Sequence, residues 1–275
     1  MLARSKRPGS DRARRARPRT LTRATYGDLA APMPPTQREP AVVVASIPAL
    51  ATRFAARCAS AARSALAARG RFALAVPGGS AAERFFPALA ETELEWSRVD
   101  LFFCDERCVP PENLDSNFAA VRRLLLSTLR TVPPRVHRMQ GEDPDPARAA
   151  RDYAETLRFM LGAPPILDMV LLGVGEDGHV ASLFPGRPAL AAVDVAVLFE
   201  DAAAKPPPRR ITLSLEVLAT ARDVVIAAFG ASKAAAIADA LHDPDAESPL
   251  ALLLRKASRG PTLLLDEEAA RGIAW

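Results

Sequence analysis

From residue 41 onward, short apolar runs alternate with longer segments in which apolar residues recur every three or four positions. The first run, residues 41–46, is β-branched, and the segment after it carries its apolar side chains on one helical face until Gly70. Ser46 is the expected N-cap of this helix, with Pro48 in its first turn. Further apolar runs that we predict to be strands lie at residues 72–76, 99–104, 166–173, 194–199, 210–215, 223–230 and 262–266.

This alternation of nearly continuous apolar strands with helical segments is typical of a parallel sheet that helices cover on both faces. We therefore predict an α/β fold with a Rossmann-like, doubly wound and mostly parallel sheet. Because no internal repeat or Gly/Ser linker divides residues 41–275, we expect them to form a single domain. Ligands of such folds bind beyond the carboxyl ends of the strands, so the residues that follow each strand are the candidates for function.

The charge of the chain is unevenly distributed. The formal net charge is +4, but residues 1–39 contain nine arginines and one lysine against three acidic residues. We expect residues 1–40, which are rich in Arg and Pro and lack hydrophobic periodicity, to be a disordered extension. The segment superficially resembles a transit peptide, but an unstructured extension is our preferred interpretation. Because the rest of the chain is slightly acidic, we expect no nucleic-acid partner.

The cysteine content and the lengths of the apolar runs exclude several other classes of protein. The cysteines Cys58, Cys104 and Cys108 are too few and odd in number for a disulfide framework, and they favour a reducing, cytoplasmic location. Cys104 and Cys108 have a ligand-like spacing, but no second pair of Cys or His lies near them, so we expect no metal site. Since no apolar run approaches the roughly 18 residues of a membrane span, we expect no membrane partner.

Polar or glycine-rich sequence follows four of the predicted strands, and the first example is the turn Pro77-Gly78-Gly79-Ser80. Glycines let backbone N–H groups approach a ligand closely, and the start of the following helix adds partial positive charge. The turn is therefore a candidate phosphate cradle, although any tight strand-to-helix turn has a similar composition.

Charged residues follow the third and the seventh predicted strands. Asp105, Glu106 and Arg107 come directly after the third strand, which should carry them to the rim of the sheet. Arg107 could bind a phosphate, and the acids could orient it or hold a sugar hydroxyl; the alternative is an exposed loop with an internal ion pair. Lys233, in the first turn of the helix after the seventh strand, opposes the helix dipole. Either a phosphate ligand or simple solvation would explain this lysine.

The stretch LLGVGEDGHVASLFPG, residues 171–186, contains one of the three histidines of the chain, His179. Residues 173–178 match the dinucleotide pattern G-x-G-x-x-G, but Pro185 arrives too soon for the long helix that the pattern requires, so we reject a nicotinamide site. A neutral imidazole in a glycine-rich loop can take a proton from water near pH 7. Asp177, two residues earlier, could fix its tautomer, and neighbouring N–H groups could stabilise an oxyanion.

Five segments resemble, in this order, the motifs of the 6-phosphogluconolactonase family: PGGS, DLFFCDERCVPPENLDSN, LDMVLLGVGEDGHVASLFPG, RRITLS and AFGASKA. The second and third segments are long and distinctive. The resemblance implies the Rossmann-like fold shared with glucosamine-6-phosphate deaminases, and hydrolysis of 6-phosphoglucono-1,5-lactone to 6-phosphogluconate in the oxidative pentose phosphate pathway. It implies a small-molecule sugar-phosphate substrate and no metal or organic cofactor, and it leaves open a monomer or a small homo-oligomer.

The same resemblance implies a role for each residue of the candidate site. His179 would activate the water that attacks the lactone carbonyl, and Asp177 would support it. Asp105 and Glu106 would line the sugar site. Asn117, otherwise most simply part of a helix cap, falls in the Ser-Asn pair of the family and would touch the site. The residues that would surround the 6-phosphate are Gly78, Gly79, Ser80, Arg107, Arg210 and Lys233.

Departures from the family pattern and two alternative functions qualify this interpretation. Ala81-Ala82 stands where Thr-Pro often follows the turn, which removes a hydroxyl and predicts weaker phosphate affinity. Val180 replaces a frequent threonine, with little expected effect. One alternative is a sugar-phosphate isomerase or deaminase of the same fold, but residues 182–185 lack the glutamate which that chemistry uses. The other is a non-catalytic sugar-phosphate-binding regulatory domain, which would not need His179.

Overall fold

The computed structural model describes residues 39–203 and 205–275. The predicted disordered extension, residues 1–40, lies outside the described residues except for its last two positions. The strands are β1 (Ala41–Val44), β2 (Phe72–Val76), β3 (Val99–Phe103), β4 (Asp105–Arg107), β5 (Arg135–Val136), β6 (Met169–Gly173), β7 (Val197–Glu200), β8 (Arg210–Leu213), β9 (Val224–Ala228) and β10 (Thr262–Leu265). The α-helices are α1 (Ile47–Arg69), α2 (Gly79–Ala90), α3 (Asn117–Leu124), α4 (Pro146–Leu161), α5 (Leu215–Thr220), α6 (Ala234–His242) and α7 (Pro249–Lys256).

Seven strands form one parallel sheet in the order β1-β10-β9-β6-β2-β3-β5. In its register, Leu74 of β2 lies opposite Leu101 of β3 on one side and Met169 of β6 on the other. Every residue of β2, β3 and β9 is buried. Because successive side chains of a strand point to opposite faces, this burial means that both faces of the sheet are covered. The predicted α/β class with a mostly parallel sheet is confirmed.

Three short strands form a separate antiparallel sheet in the order β4-β8-β7. Two of the predicted strands, residues 194–199 and 210–215, contribute to this sheet and not to the parallel one. The alternative of an exposed loop directly after β3 is wrong, because Asp105–Arg107 is strand β4 and Arg107 lies opposite Arg210 of β8. Three charged residues carry no apolar pattern of their own, so only their pairing with β8 identifies them as a strand.

The helix boundaries follow local sequence signals. α1 begins after Ser46 with Pro48 in its first turn, as predicted, and Gly70 ends it with a φ of 76°. The side chain of Ser46 makes no capping hydrogen bond. Ser116 caps α3, because its Oγ accepts a hydrogen bond from the backbone N–H of Ala119. Within the residues that the structure describes, no helix is both long and apolar enough to span a bilayer.

The amino edge of the parallel sheet carries carboxylates that basic side chains neutralise. Asp168, just before β6, accepts a hydrogen bond from Arg69 at 2.6 Å. Asp100 of β3 is bonded by His137 and Arg71. Burial alone would raise the pKa of Asp100, but these hydrogen bonds lower it below its usual value. His137 is therefore engaged at the edge opposite the candidate site, where it holds a buried carboxylate in its charged form.

Candidate active site

The candidate residues lie at the carboxyl edge of the parallel sheet, beginning with the glycine pair after β2. α2 starts at Gly79, whose φ of +62° is a conformation that favours glycine. A side chain on Gly78 would place its Cβ only 1.9 Å from Oδ1 of Asn117. Ser80 is exposed in the first turn of α2. The glycine pair thus lets the turn after β2 touch the start of α3.

Asp105 joins several parts of this edge, although only 5% of it is exposed. Its carboxylate accepts a hydrogen bond from Nδ2 of Asn117 at 2.9 Å and another from Oγ of Ser182 at 2.6 Å. Nη1 of Arg210 lies 4.0 Å from the same carboxylate. Because Ser182 belongs to the loop after β6, Asp105 connects that loop with α3 and β8.

Glu106 differs from Asp105, because both of its oxygens are engaged at the start of α3. One oxygen accepts hydrogen bonds from the backbone N–H groups of Arg107 and Asn117, both at 2.7 Å. The other accepts from Oγ of Ser116 at 3.0 Å and from the N–H of Phe118 at 2.8 Å. Burial raises the pKa of this carboxyl, and the backbone hydrogen bonds oppose that shift. The structure thus places Glu106 as a buried cap of α3 and leaves neither oxygen without a partner.

The loop after β6 is folded back on itself. The N–H of Gly175 donates to the carbonyl of His179 at 2.8 Å, and a bridge between Val174 and Val180 continues this pairing. Residues 174–187, all of them described, contain no helix, whereas the rejected dinucleotide motif would need one there. A Cβ at Gly175 would lie 2.0 Å from Nδ1 of His179. This glycine therefore provides the space that the imidazole occupies.

His179 and Asp177 form a hydrogen-bonded pair in this loop. Nδ1 of His179 lies 2.5 Å from Oδ1 of Asp177, and the backbone N–H of His179 donates to the same oxygen at 3.2 Å. Burial would raise the pKa of Asp177, but its electrostatic interaction and hydrogen bonds with His179 lower it below the usual value. Because an ionised carboxylate only accepts hydrogen bonds, the ring proton belongs on Nδ1, which leaves Nε2 as an acceptor.

The environment of His179 keeps its imidazole neutral at pH 7. Only 17% of the side chain is exposed, and burial lowers its pKa below the usual value. Asp177 opposes this shift through its charge and its hydrogen bond, and the more distant charge of Asp105 acts in the same direction. The balance lowers the pKa, so His179 is predominantly in the form that can accept a proton.

Phe184 packs beside His179, and Arg210 lies over the Phe184 ring. The ring centroids of Phe184 and His179 are 4.5 Å apart, and the guanidinium carbon of Arg210 is 5.8 Å from the centroid of Phe184. Nε of Arg210 donates to the carbonyl of Pro207 and Nη2 donates to that of Lys205, both at 2.9 Å. Two nitrogens of this candidate phosphate ligand therefore hold the loop that precedes β8.

The other two cationic candidates have different surroundings. Nη1 of Arg107 donates to the carbonyl of Asp115 at 2.6 Å, while its Nε is buried without a hydrogen-bond partner in the described part of the chain. Nζ of Lys233 lies 3.7 Å from Oε1 of Glu176, which belongs to the histidine loop. Lys233 is thereby connected to that loop, and Arg107 retains a donor without an internal acceptor.

The groups that this edge offers to a ligand are an imidazole, cationic side chains and backbone N–H groups. Asp105 and Asp177 each bind donors of the protein itself. Across residues 39–203 and 205–275, His, Cys, Asp and Glu form no cluster of three or more that could hold a metal ion. Such a set of groups suits an anionic organic ligand.

Sequence reasoning missed some residues that the structure brings into the site. Ser182 and Phe184 lie in the stretch after β6, but no role was predicted for either of them. Ser182 is 77 residues from Asp105, with which it shares a hydrogen bond. No local pattern identifies such a pair, because the two residues become neighbours only when β4 and the histidine loop meet at the sheet edge.

Comparisons with known proteins agree with the sequence-based resemblance. Residues 45–263 match the family model described as glucosamine-6-phosphate isomerases/6-phosphogluconolactonase. The 6-phosphogluconolactonase of Homo sapiens is 40% identical over 212 residues, which cover 74% of this chain and 81% of the human protein. That of Streptomyces coelicolor is 36% identical over 236 residues, which cover 80% of this chain and 89% of the relative.

Solved structures share the fold. The 6-phosphogluconolactonase from Trypanosoma brucei superposes with a TM-score of 0.77 at 27% sequence identity, and the match covers 86% of this chain and 99% of that structure. A monomeric glucosamine-6-phosphate deaminase superposes with a TM-score of 0.71 at 19% identity, a likeness that concerns the fold alone. The family model and the identity to its members extend over most of the sequence, and the chain therefore belongs to the glucosamine-6-phosphate isomerase/6-phosphogluconolactonase family.

Proposed function

We propose that this chain hydrolyses 6-phosphoglucono-1,5-lactone to 6-phosphogluconate, with His179 as the general base. The observation that carries the proposal is the pair of His179 and Asp177, a partly buried, neutral imidazole whose tautomer a carboxylate fixes. The loop that holds this pair also contacts Lys233 and Asp105, which supports a sugar-phosphate ligand. Identities of 36–40% to 6-phosphogluconolactonases support the same reaction for this chain.

In the proposed reaction, Nε2 of His179 takes a proton from a water molecule while the oxygen of that water attacks the lactone carbonyl carbon. The carbonyl electron pair moves onto the carbonyl oxygen, which becomes negatively charged. The N–H groups of Gly175, Gly178 and His179 already donate within the loop, so they do not serve as donors to this oxygen. The tetrahedral intermediate then breaks the bond between the carbonyl carbon and the ring oxygen. The ring oxygen takes the proton from His179, which returns the imidazole to its neutral form.

Asp177 contributes to this scheme in two ways. Its hydrogen bond at 2.5 Å holds the imidazole proton on Nδ1, so Nε2 keeps the lone pair that accepts the proton of water. Its negative charge also stabilises the imidazolium that exists between the two proton transfers. Asp177 is thus a positioning residue that acts through His179.

We place the 6-phosphate near Lys233, Arg107 and the Gly78-Gly79-Ser80 turn. The start of α2 supplies backbone N–H groups and partial positive charge, and the exposed Ser80 lies in its first turn. Ala81 and Ala82 are buried and carry no hydroxyl. Phosphate affinity should therefore depend mainly on the cationic side chains.

The test is an initial-rate measurement in a pH-stat with freshly prepared 6-phosphoglucono-1,5-lactone. We expect His179→Ala to lower kcat by about 10²–10⁴-fold, the usual effect of losing a general base. The matched control is His242→Ala, since His242 is exposed at the end of α6, and it should keep the wild-type rate. Equal rates for wild type and His179→Ala would reject the assignment. Ammonia release from glucosamine 6-phosphate would indicate deaminase chemistry instead.

A further inference from the structure

Glu176 bridges two lysines that come from separate parts of the chain. Its Oε1 lies 3.7 Å from Nζ of Lys233, and its Oε2 lies 4.0 Å from Nζ of Lys205. Glu176 directly precedes Asp177 in the histidine loop. One carboxylate thus holds two ammonium groups beside the proposed catalytic pair.

The position of Lys233 favours a negatively charged partner. It ends the 3-10 turn that leads into α6, and the N-terminal end of a helix carries partial positive charge. That partial charge repels the ammonium group of Lys233. Only 17% of the Lys233 side chain is exposed, so water screens the repulsion incompletely. The sequence left a phosphate ligand and simple solvation as explanations of this lysine. The structure adds a third explanation, which is the internal carboxylate of Glu176.

Lys205 is held through its backbone, and its side chain is exposed. Arg210, which packs on Phe184, donates to the carbonyls of Lys205 at 2.9 Å and of Pro206 at 3.4 Å. Phe184 in turn contacts the ring of His179. The Lys205 side chain is 53% exposed, so its ammonium group is accessible to a ligand from solvent.

The Glu176 carboxylate is held weakly. Its distances to the two lysines exceed the 2.7–3.2 Å typical of N–H···O hydrogen bonds, and 56% of its side chain is exposed. The pair with Lys205 is exposed on both sides, and exposed ion pairs contribute little because water screens them. A phosphate group has three acceptor oxygens and carries roughly −1.5 to −2 charges at pH 7, against one for a carboxylate. Phosphate would therefore attract the two lysines more strongly than Glu176 does.

We propose that Glu176 is an internal anion that occupies Lys205 and Lys233 in the free protein, and that the phosphate of the substrate displaces it. This inference rests on the proposed function, because it assigns the two lysines to the phosphate of the same substrate. It adds Lys205 to the phosphate site. It also gives Glu176 a role in substrate selectivity, because Glu176 would favour phosphorylated lactones over unphosphorylated ones. A sugar lactone without a phosphate has no group that can replace Glu176 between the two ammonium groups.

The test uses inorganic phosphate as the probe and measures its Kd for the full chain by isothermal titration calorimetry. Glu176→Gln keeps the shape of the side chain and removes its charge, so we expect the Kd to fall about two- to fivefold. Lys205→Met should raise the Kd. In the variant that combines Lys205→Met with Glu176→Gln, the affinity gained by removing the Glu176 charge should be smaller. Glu91→Gln also removes one exposed negative charge, at the end of α2, and it should leave the Kd unchanged.

An unchanged or higher Kd in Glu176→Gln would overturn the inference, and so would an equal gain in Glu91→Gln. These outcomes do not depend on lactone hydrolysis. If the chain fails to hydrolyse the lactone but Glu176→Gln tightens phosphate binding, the proposed function is wrong. The inference that Glu176 competes with phosphate for the two lysines is then still supported. If hydrolysis is normal and the Kd does not respond, the inference fails alone.

Discussion

Replacing Asp177 with asparagine removes a single charge from the proposed catalytic pair while it preserves the shape of the side chain. In the wild type, Oδ1 of Asp177 lies 2.5 Å from Nδ1 of His179. An amide can present either its oxygen or its NH₂ group to this nitrogen, so Asp177→Asn no longer enforces the proton on Nδ1. The variant also loses the negative charge that stabilises the imidazolium during the reaction. We therefore expect kcat to fall.

The size of the fall follows from the strength of the lost contact. Hydrogen bonds to charged groups contribute about 1.5–3 kcal/mol, and each 1.4 kcal/mol or so of barrier corresponds to about a tenfold change in rate. This range converts to a loss of about 10- to 150-fold in kcat. Because 40% of the Asp177 side chain is exposed, water screens part of the interaction, and we expect the lower part of the range.

The pH dependence of kcat/KM tests the cause of this loss. A general base works when it is unprotonated, so activity should rise with pH through the pKa of His179. Burial lowers that pKa, and Asp177 opposes the shift by its charge and hydrogen bond. Removing the charge of Asp177 should therefore lower the pKa further and move the rising limb of the profile to lower pH.

The assay is the pH-stat rate at a series of pH values, with the uncatalysed opening of the lactone subtracted at each one. Asp152→Asn serves as the control, because Asp152 is exposed on α4 and its loss changes the net charge equally. We expect its profile to match the wild type. A profile of Asp177→Asn that keeps the wild-type kcat, or whose rising limb moves to higher pH, would refute the reasoning.

Three further variants test other parts of the site. Gly175→Ala would place a Cβ 2.0 Å from Nδ1 of His179, so we expect a loss of kcat as large as that of His179→Ala while the melting temperature stays within a few degrees of the wild type in circular dichroism. In Glu106→Gln, the NH₂ group of the new side chain faces a backbone N–H at the start of α3 that loses its acceptor. The free energy of unfolding, measured by urea denaturation, should therefore fall by about 1–3 kcal/mol. Arg107→Ala should raise KM for the phosphorylated lactone about tenfold or more; a change in kcat alone would contradict its phosphate role.

The strands and the main turns could be predicted because their signals are local. Each apolar run that was predicted as a strand coincides with or overlaps a strand of the structure, and the run at residues 72–76 matches β2 at both ends. Gly70 ends α1 as predicted, and Ser116 provides the helix cap that was predicted for the segment containing Asn117. Hydrophobic periodicity and capping depend on residues within a few positions, so one sequence contains the necessary information.

The second sheet and the actual contacts of two candidate ligands depend on residues that the sequence does not mark. β4 is a strand because β8 pairs with it from more than a hundred positions away. Glu106 binds donors 10 to 12 residues later, two of which are backbone N–H groups. Arg210 binds backbone carbonyls of residues 205–207. Since every residue has a carbonyl, residue types cannot reveal that this arginine holds a loop.

The glycines at the end of β6 and in the loop after it match the dinucleotide motif, but glycine is required there for different physical reasons. In that motif the glycines permit a tight turn, admit the pyrophosphate and pack the helix against the strand. Here a side chain on Gly175 would collide with the ring of His179. Gly178 has a φ of +78°, and a Cβ there would lie 2.8 Å from that of Ser248, the cap of α7. A Cβ at Gly173 would lie 3.9 Å from that of Ala81, which is an ordinary contact, so packing does not require glycine at this position. Gly175 thus leaves room for the imidazole, and Gly178 lets the loop approach α7 closely. These two packing requirements, and not the needs of a bound dinucleotide, account for two of the three glycines in the pattern.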